Sequence, residues 1–512
     1  MAAGTMIELT DLAGLIDTTD ALEMAEGYQK VFIVNGGNMV VADFVNTKIA
    51  TANIGSNPPD FGTILTGGTS GAEMIVDYIT TLTGACTIYG YNTTDVAFTT
   101  ETVTGTDDDG NAISFTTSGA EDAPPHGYLW TTFGGSTDFG ALPDKAYLVC
   151  LFNGRIVLSG NTYSPHQWYM SRQGNPWDWA YIANDAQSPV AGGDDDPGEI
   201  GDIIRALIPF DTDRLIIGCA NSIMQMRGDP MSGGVLGTLD SNVGVFSSRS
   251  WCFDGDGNLY FWGTGGIYKC TKSGGVLNRP ELLTAVTLPN IIDDEGADPS
   301  THRITMGYDR KRLGIIISVT LLSSGSNSCY WYDLRTNGLF SESYPAVCGA
   351  YSIYNYAATD PDYSGLLMGC GDGYIRIHVD SAKDDDTGAT DTAINSYCTL
   401  PIKNLGQEED SEGRLVSLTI TTAGGASSGT FGDTDGLSYE LHAADDAETC
   451  LEDIIDGATA RESGTVSGTG RKNKIRKRVR ARALGIKLYN STASQTWAVD
   501  EILGEVKKAG KL

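Results

Sequence analysis

Residues 147–160 read YLVCLFNGRIVLSG: an apolar run, the pair Asn153-Gly154, and a second apolar run. Asn-Gly between two such runs is a hairpin signal, because these residues tolerate the positive φ of a tight turn. The unit recurs as IRALIPFDTDRLIIGCANSIMQM (204–226), SWCFDGDGNLYFWGTGGIYKC (250–270), ITMGYDRKRLGIIISV (304–319) and GLLMGCGDGYIRIH (365–378). Its turns, near Asn153, Thr212, Asp256, Arg310 and Tyr363, lie 44 to 59 residues apart. Such spacing suits propeller blades with variable loops, and ring closure is favoured because an open array leaves unpaired edges.

Around this repeat the chain is expected to be mostly β, a distorted propeller of about six blades over residues 136–400. Sixty-four glycines and abundant Thr, Ser, Val, Ile and Tyr support that class. Residues 1–54 read as a helix and a closing hairpin. The helix is signalled by DALE at Asp20, with Glu23 three residues after a candidate N-cap. The hairpin is KVFIVNGGNMVVADF (30–44), expected to close the ring with C-terminal strands. Residues 55–135 have another texture and read as an inserted, protruding β-rich domain, with a second helix through GAEMIVDYITTL from Gly71. Residues 401–512 read as a terminal β module.

The chain has 512 residues, enough for one large β architecture or several domains, and 41% hydrophobic residues, enough for a core. A net charge of −31 disfavours nucleic acid and anionic membrane as partners. No segment resembles an export signal or a membrane span, so a soluble chain without membrane insertion is expected. Ten cysteines without a C-x-x-C pattern read as buried free thiols in a reducing cytoplasm.

The chemically suggestive motifs fail one by one. DGDGNLY at Asp254 spaces carboxylates like a calcium loop, but its twelfth position is Gly265 where a bidentate Glu is needed, so it reads as a turn. It also departs from an Asp-box at two positions, Asp254 and Asn258. Asp107–Asp109, Asp194–Asp196 and Asp384–Asp386 read as solvated loops. His126, His166, His302, His378 and His442 show no paired metal spacing, Ser164 beside His166 is no triad, and no nucleophile elbow or phosphate loop occurs. No enzyme, no metal and no cofactor are expected.

Two groups remain as interface candidates. RIVLSGNTYSPHQWYMSRQGNPWDW (155–179) gathers Trp168, Trp177 and Trp179 with Tyr169, either packed beneath a blade or against a neighbouring subunit, or open as a stacking platform. RKNKIRKRVRAR places eight of 34 basic residues at Arg471, Lys472, Lys474, Arg476, Lys477, Arg478, Arg480 and Arg482. Period-2 alternation puts Arg478, Arg480 and Arg482 on the face that continues through Leu484, Ile486 and Leu488. These arginines are expected to meet carboxylates of a neighbouring chain, with DNA as runner-up.

Several blocks together resemble the tail nozzle, or tail tubular, proteins of short-tailed bacteriophages: NGRIVLSG (153–160) with Ser171 and GNPWDW (174–179), IIRALIPFDTDRLIIGCANSIMQMRGD, GVFSSRSWCFDGDGNLYFWGTGGIYKC, and the closing RVRARALGIKLYN and TWAVDEILGEVKKAGK. The resemblance implies a virion protein assembled in the host cytoplasm. It implies a hexameric ring below the portal and adaptor, neighbouring tail fibres or a needle, and a channel that retains genomic DNA and opens for ejection without binding it specifically. A negative wall would suit such a conduit. The alternative is a glycan- or receptor-binding propeller of a virion or cell surface, using Trp168, Tyr169, Trp177 and Trp179; a propeller hydrolase or lyase would need convergent carboxylates.

Overall fold

A computed structural model describes residues 8–17, 20–192, 200–379, 382–388, 390–406, 411–424, 434–466 and 472–511. The chain is mostly β, built from many antiparallel sheets, with two short α-helices among the described residues: α1 (Ile291–Glu295) and α2 (Ala447–Ile455). It divides into two compact units. One comprises Met1–Leu322, Tyr330–Ser341 and Tyr351–Leu366; the other comprises Ser323–Cys329, Glu342–Ala350 and Leu367–Leu512.

In the first unit, four-stranded sheets follow one another along the chain. Sheet 1 is β1 (Glu23–Gly27) with Lys30–Val34, Val40–Asp43 and His126–Leu129. Sheet 2 starts at β2 (Leu148–Phe152) and continues through Arg155–Asn161, Ser164–Met170 and Val190–Ala191. Sheet 3 starts at β3 (Ile204–Pro209), sheet 4 at β4 (Trp251–Phe253) and sheet 5 at β5 (His302–Asp309), each with neighbours in sequence order. β6 (Ala350–Tyr356) follows, with Asn355 donating to the Tyr308 carbonyl of β5 at 3.2 Å.

The continuous apolar runs have a direct cause: both faces of each sheet are covered. In β2, Leu148, Cys150 and Phe152 enter a core shared with Leu207, Leu215 and Ile217 of sheet 3, while Val149 enters the core shared with Phe32 and Val41 of sheet 1. Sheets 3 and 4 share a core through Ala206, Ile208, Ile216, Leu259 and Phe261, and sheets 4 and 5 through Tyr260, Trp262, Ile315 and Ile317. Each shared core removes large aliphatic and aromatic surfaces from water, the dominant favourable term in folding. A polar substitution on either face would be buried without a partner.

A six-stranded antiparallel sheet, Thr47–Thr51 to Ala112–Thr116, is inserted between the third and fourth strands of sheet 1. A buried polar joint holds it there. Lys30 Nζ lies 2.8 Å from Asp77 and 4.0 Å from Asp43. Asn46 donates to both carboxylates, and the Tyr128 hydroxyl donates to Asp43 at 2.9 Å.

Three expectations are corrected. The expected helix at Asp20 is absent: Glu23–Gly27 is strand β1, paired with Lys30–Val34. The expected helix from Gly71 is the strand Glu73–Ile79, whose Met74, Val76 and Tyr78 are buried in alternation. The hairpin at 30–44 is completed by His126–Leu129, which returns after the insertion, and not by C-terminal strands.

The second unit contains a pair of sheets around one core. One consists of β7 (Ser396–Asn404), the strands Leu437–Ala444 and Glu462–Val466, and β11 (Ala483–Asn490); β8 (Ser411–Thr422), β9 (Lys472–Ile475), β10 (Val479–Ala481) and β12 (Val499–Lys511) form the other. The chain changes sheets at Arg482, between β10 and β11. The single face read from sequence is corrected at that change: in β10 Val479 and Ala481 are buried and Arg478 and Arg480 exposed, whereas in β11 Leu484 and Leu488, of the opposite parity, enter the core.

Candidate functional site

The first strands of sheets 1 to 4 meet at one cavity of about 250 Å³, lined by Glu23 to Glu26 of β1, Leu148 to Leu151 of β2, Leu207 and Pro209 of β3, and Ser248 and Trp251 at the start of β4. Its polar groups are few and placed. Arg249 Nε lies 3.1 Å from Glu23 Oε1, and Ser248 Oγ donates to the same oxygen at 2.5 Å. Arg249 Nη2 donates to the Leu22 carbonyl at 2.6 Å, and its own carbonyl accepts from Met306 N of β5 at 3.0 Å. The Trp251 indole N–H is buried and has no acceptor among the described residues.

Beside this cluster, Arg303 of β5 stacks over the Tyr351 ring of β6 at 4.6 Å. Burial lowers its pKa, and the Arg249 guanidinium lowers it further. The starts of β1, β4, β5 and β6 therefore carry a carboxylate and two guanidiniums within one neighbourhood. The cavity can accept hydroxyl hydrogens at Glu23 and pack an apolar ring face against the leucines and Pro209, with the buried Trp251 N–H beside it.

The candidate residues read from sequence lie elsewhere. Trp168 and Trp177 are fully buried and Trp179 nearly so, which removes the stacking platform. Trp168 enters the core between sheets 2 and 3. Trp177 packs 4.5 Å from the Tyr78 ring of the insertion and 6.1 Å from Phe32 of sheet 1. Trp179 and Trp130 both donate to the Pro176 carbonyl, at 3.1 and 3.2 Å. GNPWDW is thus interior architecture that seats the inserted sheet.

The basic block belongs to the second unit, where nearby carboxylates of the same chain engage part of it. Lys474 lies 3.7 Å from Glu505, Lys477 2.7 Å from Glu462, and Arg480 pairs with Glu412. Lys472, Arg476 and Arg478 are exposed, Arg482 is half-buried, and Arg471 lies outside the described residues.

The DGDGN segment closes on itself. Asp254 accepts from Asp256 N and Asn258 N through Oδ1, and from Asn258 Nδ2 and the Tyr260 hydroxyl through Oδ2. Asp107 likewise caps its own turn through Asn111, Asp384 accepts from Ser494, and Asp194–Asp196 lie outside the described residues. Among the described residues no group of three or more His, Cys, Asp or Glu side chains is placed to hold a metal. All ten cysteines are free and nine are buried, Cys398 being exposed. No helix of the described residues is long and apolar enough to cross a membrane.

No family model matches the chain, and no curated protein matches it. Matching solved structures include the extracellular domain of a one component system from Bacteroides thetaiotaomicron, at 11% identity and a TM-score of 0.31, covering 66% of this chain and 42% of that one. An auxiliary nutrient binding protein from Bacteroides ovatus matches at 10% identity and a TM-score of 0.30, covering 74% of this chain and 90% of that one. An exported protein from Bacteroides fragilis matches at 9% identity and a TM-score of 0.24, covering 64% and 84%. Likeness at this level says nothing of what this chain binds.

The tail-nozzle resemblance is corrected by these comparisons, since the matching structures named above are an extracellular domain, a nutrient binding protein and an exported protein of Bacteroides and not phage tail proteins. The virion location falls with it. The hexameric ring, adaptor, fibre and DNA partners rested on the same resemblance and are not carried further. The motifs that suggested it are short Gly turns between apolar strands, which turn sterics impose on any array of antiparallel hairpins.

Proposed function

We propose that this chain is a non-catalytic binding protein in which the successive sheets of the first unit are blades of a β-propeller, with a small hydroxyl-rich ligand, such as the end of a glycan, held at the axis. The observation that carries the reading is the convergence of β1, β2, β3 and β4 on one cavity with a fixed carboxylate, beside a buried indole N–H that has no acceptor among the described residues. Blade geometry is supported by two features. Cores alternate between consecutive sheets, and Glu23 of sheet 1 reaches Ser248 and Arg249 at the entrance of sheet 4, as closure around an axis requires. Concave sites with few convergent polar groups are where small ligands bind.

Glu23 is held by Arg249 and Ser248, so its free lone pairs face a ligand in one orientation. A sugar supplies hydroxyls to that carboxylate, an acceptor to Trp251 Nε1, and a C–H face to the apolar wall. The test is a saccharide array followed by tryptophan-emission titration of the wild type, Trp251→Phe and Glu23→Gln. Binding that both substitutions weaken at least about tenfold supports the site, on the scale of a lost buried hydrogen bond. A folded protein that binds no saccharide, or binds one equally well after both substitutions, refutes it.

A further inference from the structure

We propose that the β12 edge is a self-docking surface, on which a second copy of this chain adds its own β12 antiparallel and centred on Gly504. β8 pairs with β12 along one side and with β9 and β10 along the other, so β12 ends its sheet, with β8 as its single strand partner among the described residues. Leu503 and Val506 are about half exposed along this strand. A long edge with apolar side chains is a template for another strand.

Beside the edge lies an apolar groove of about 750 Å³ between β12 and β7, the end strand of the other sheet. Leu400, Leu418, Ile486 and Leu488 line it together with Ile502 and Val506 of β12 itself. Among the described residues the two sheets therefore leave their shared core open on the side where β12 has no strand partner.

The charge order along β12 identifies the occupant. Asp500 and Glu501 precede Gly504, and Lys507 and Lys508 follow it, while the intervening Glu505 is engaged by Lys474 and Ser417 of its own chain. A parallel copy in register would set carboxylate on carboxylate and lysine on lysine. An antiparallel copy centred on Gly504 sets Asp500 opposite Lys508, Glu501 opposite Lys507, and Ile502 opposite Val506, twice each by the two-fold symmetry. Opposite charges directly across a strand pair stabilise it, and like charges destabilise it. Ile502 and Val506 face the groove, so their pairing extends the apolar core of one copy into that of the other. From Glu501 to Lys508 the residues of β12 pair consecutively with β8, whose one extra residue there lies between Leu415 and Ser417, and the extra residues of β12 itself, Asp500 and Ala509, flank that segment. A two-fold contact of this kind is isologous and closes at the dimer.

The interface uses only the second unit and does not depend on the axial cavity. Sedimentation equilibrium of the full chain, with circular dichroism and melting temperature as folding controls, is the test. The wild type is expected at twice 54.3 kDa. The Lys507→Glu/Lys508→Glu variant should dissociate at least about tenfold more readily, from like charges placed across the pair. Adding Asp500→Lys and Glu501→Lys to that variant restores complementarity, so the fourfold variant should self-associate again and refuse to mix with wild type. A monomeric wild type, a twofold variant as tightly associated as wild type, or a fourfold variant that stays monomeric or mixes freely overturns the proposal. If the twofold variant fails to fold, the fourfold variant and its mixing carry the decision.

Discussion

Replacing Arg155 by Met tests whether sheets 2 and 3 are joined as described. Arg155 is fully buried in the second strand of sheet 2. Its Nε donates to Asp229 of the loop after the third strand of sheet 3 at 2.8 Å. Its Nη1 donates to the carbonyls of Ser171, Gln187 and Ser188 at 2.7 to 3.1 Å, and Nη2 to that of Ala186 at 2.9 Å. Met fills similar space but leaves one carboxylate and four carbonyls without these donors. Removing one partner of a buried pair costs about 3–5 kcal/mol. A unit of about 350 residues unfolds with an entropy near 0.7 kcal/mol/K, from about 2.1 cal/mol/K per residue. The melting temperature should therefore fall by about 4–7 °C in scanning calorimetry. Adding Asp229→Asn removes the stranded charge and should recover part of that loss, while the orphaned carbonyls keep the double variant below wild type. A fall of less than about 1 °C for Arg155→Met would show that the guanidinium does not bridge these sheets.

Trp177→Ala should cost about 3–5 kcal/mol and loosen the inserted sheet first, read as faster amide exchange in Glu73–Ile79 than in β2; uniform exchange would contradict the seating role. Glu101 is buried, which raises its pKa, but donors from Ser70, Thr99 and Thr69 outweigh that and hold it at about 2, below the usual 4.5. Its contribution is present above pH 4.5 and is lost as pH falls toward 2, so Glu101→Gln should lower the melting temperature at pH 7 and converge with wild type near pH 2; a constant gap across that window refutes the assignment. Chelator should leave the melting temperature unchanged, because the Asp254 carboxylate already accepts four donors; a fall reversed by calcium would show a cation at that turn.

The hairpins were legible because their signals are local. Asn153-Gly154 has positive φ at both residues, at 49° and 67°, as the turn demands, and the flanking runs are apolar because both faces are covered. DALE misled because a capping-box spacing needs only four residues, whereas the pairing of Glu23 with Val34 that wins depends on a hairpin partner. GAEMIVDYITTL carried the correcting signal in its period-2 burial of Met74, Val76 and Tyr78. The tryptophans were legible as a cluster but not as an interior joint, since the residues that enclose Trp177 come from Phe32, Tyr78 and Tyr128, far away in sequence. The cavity between the first strands of sheets 1 to 4 left no trace in any single stretch. Glu23, Leu148, Leu207 and Trp251 are ordinary strand residues until four separate sheets bring them together.

A crystal structure of the protein soaked with the saccharide that ranks first on the array tests the ligand site directly. A sugar ring is expected in the cavity between β1, β2, β3 and β4, with a hydroxyl on Glu23 and an oxygen accepting from Trp251 Nε1. Density for the sugar at any other surface, with this cavity unchanged, would contradict it.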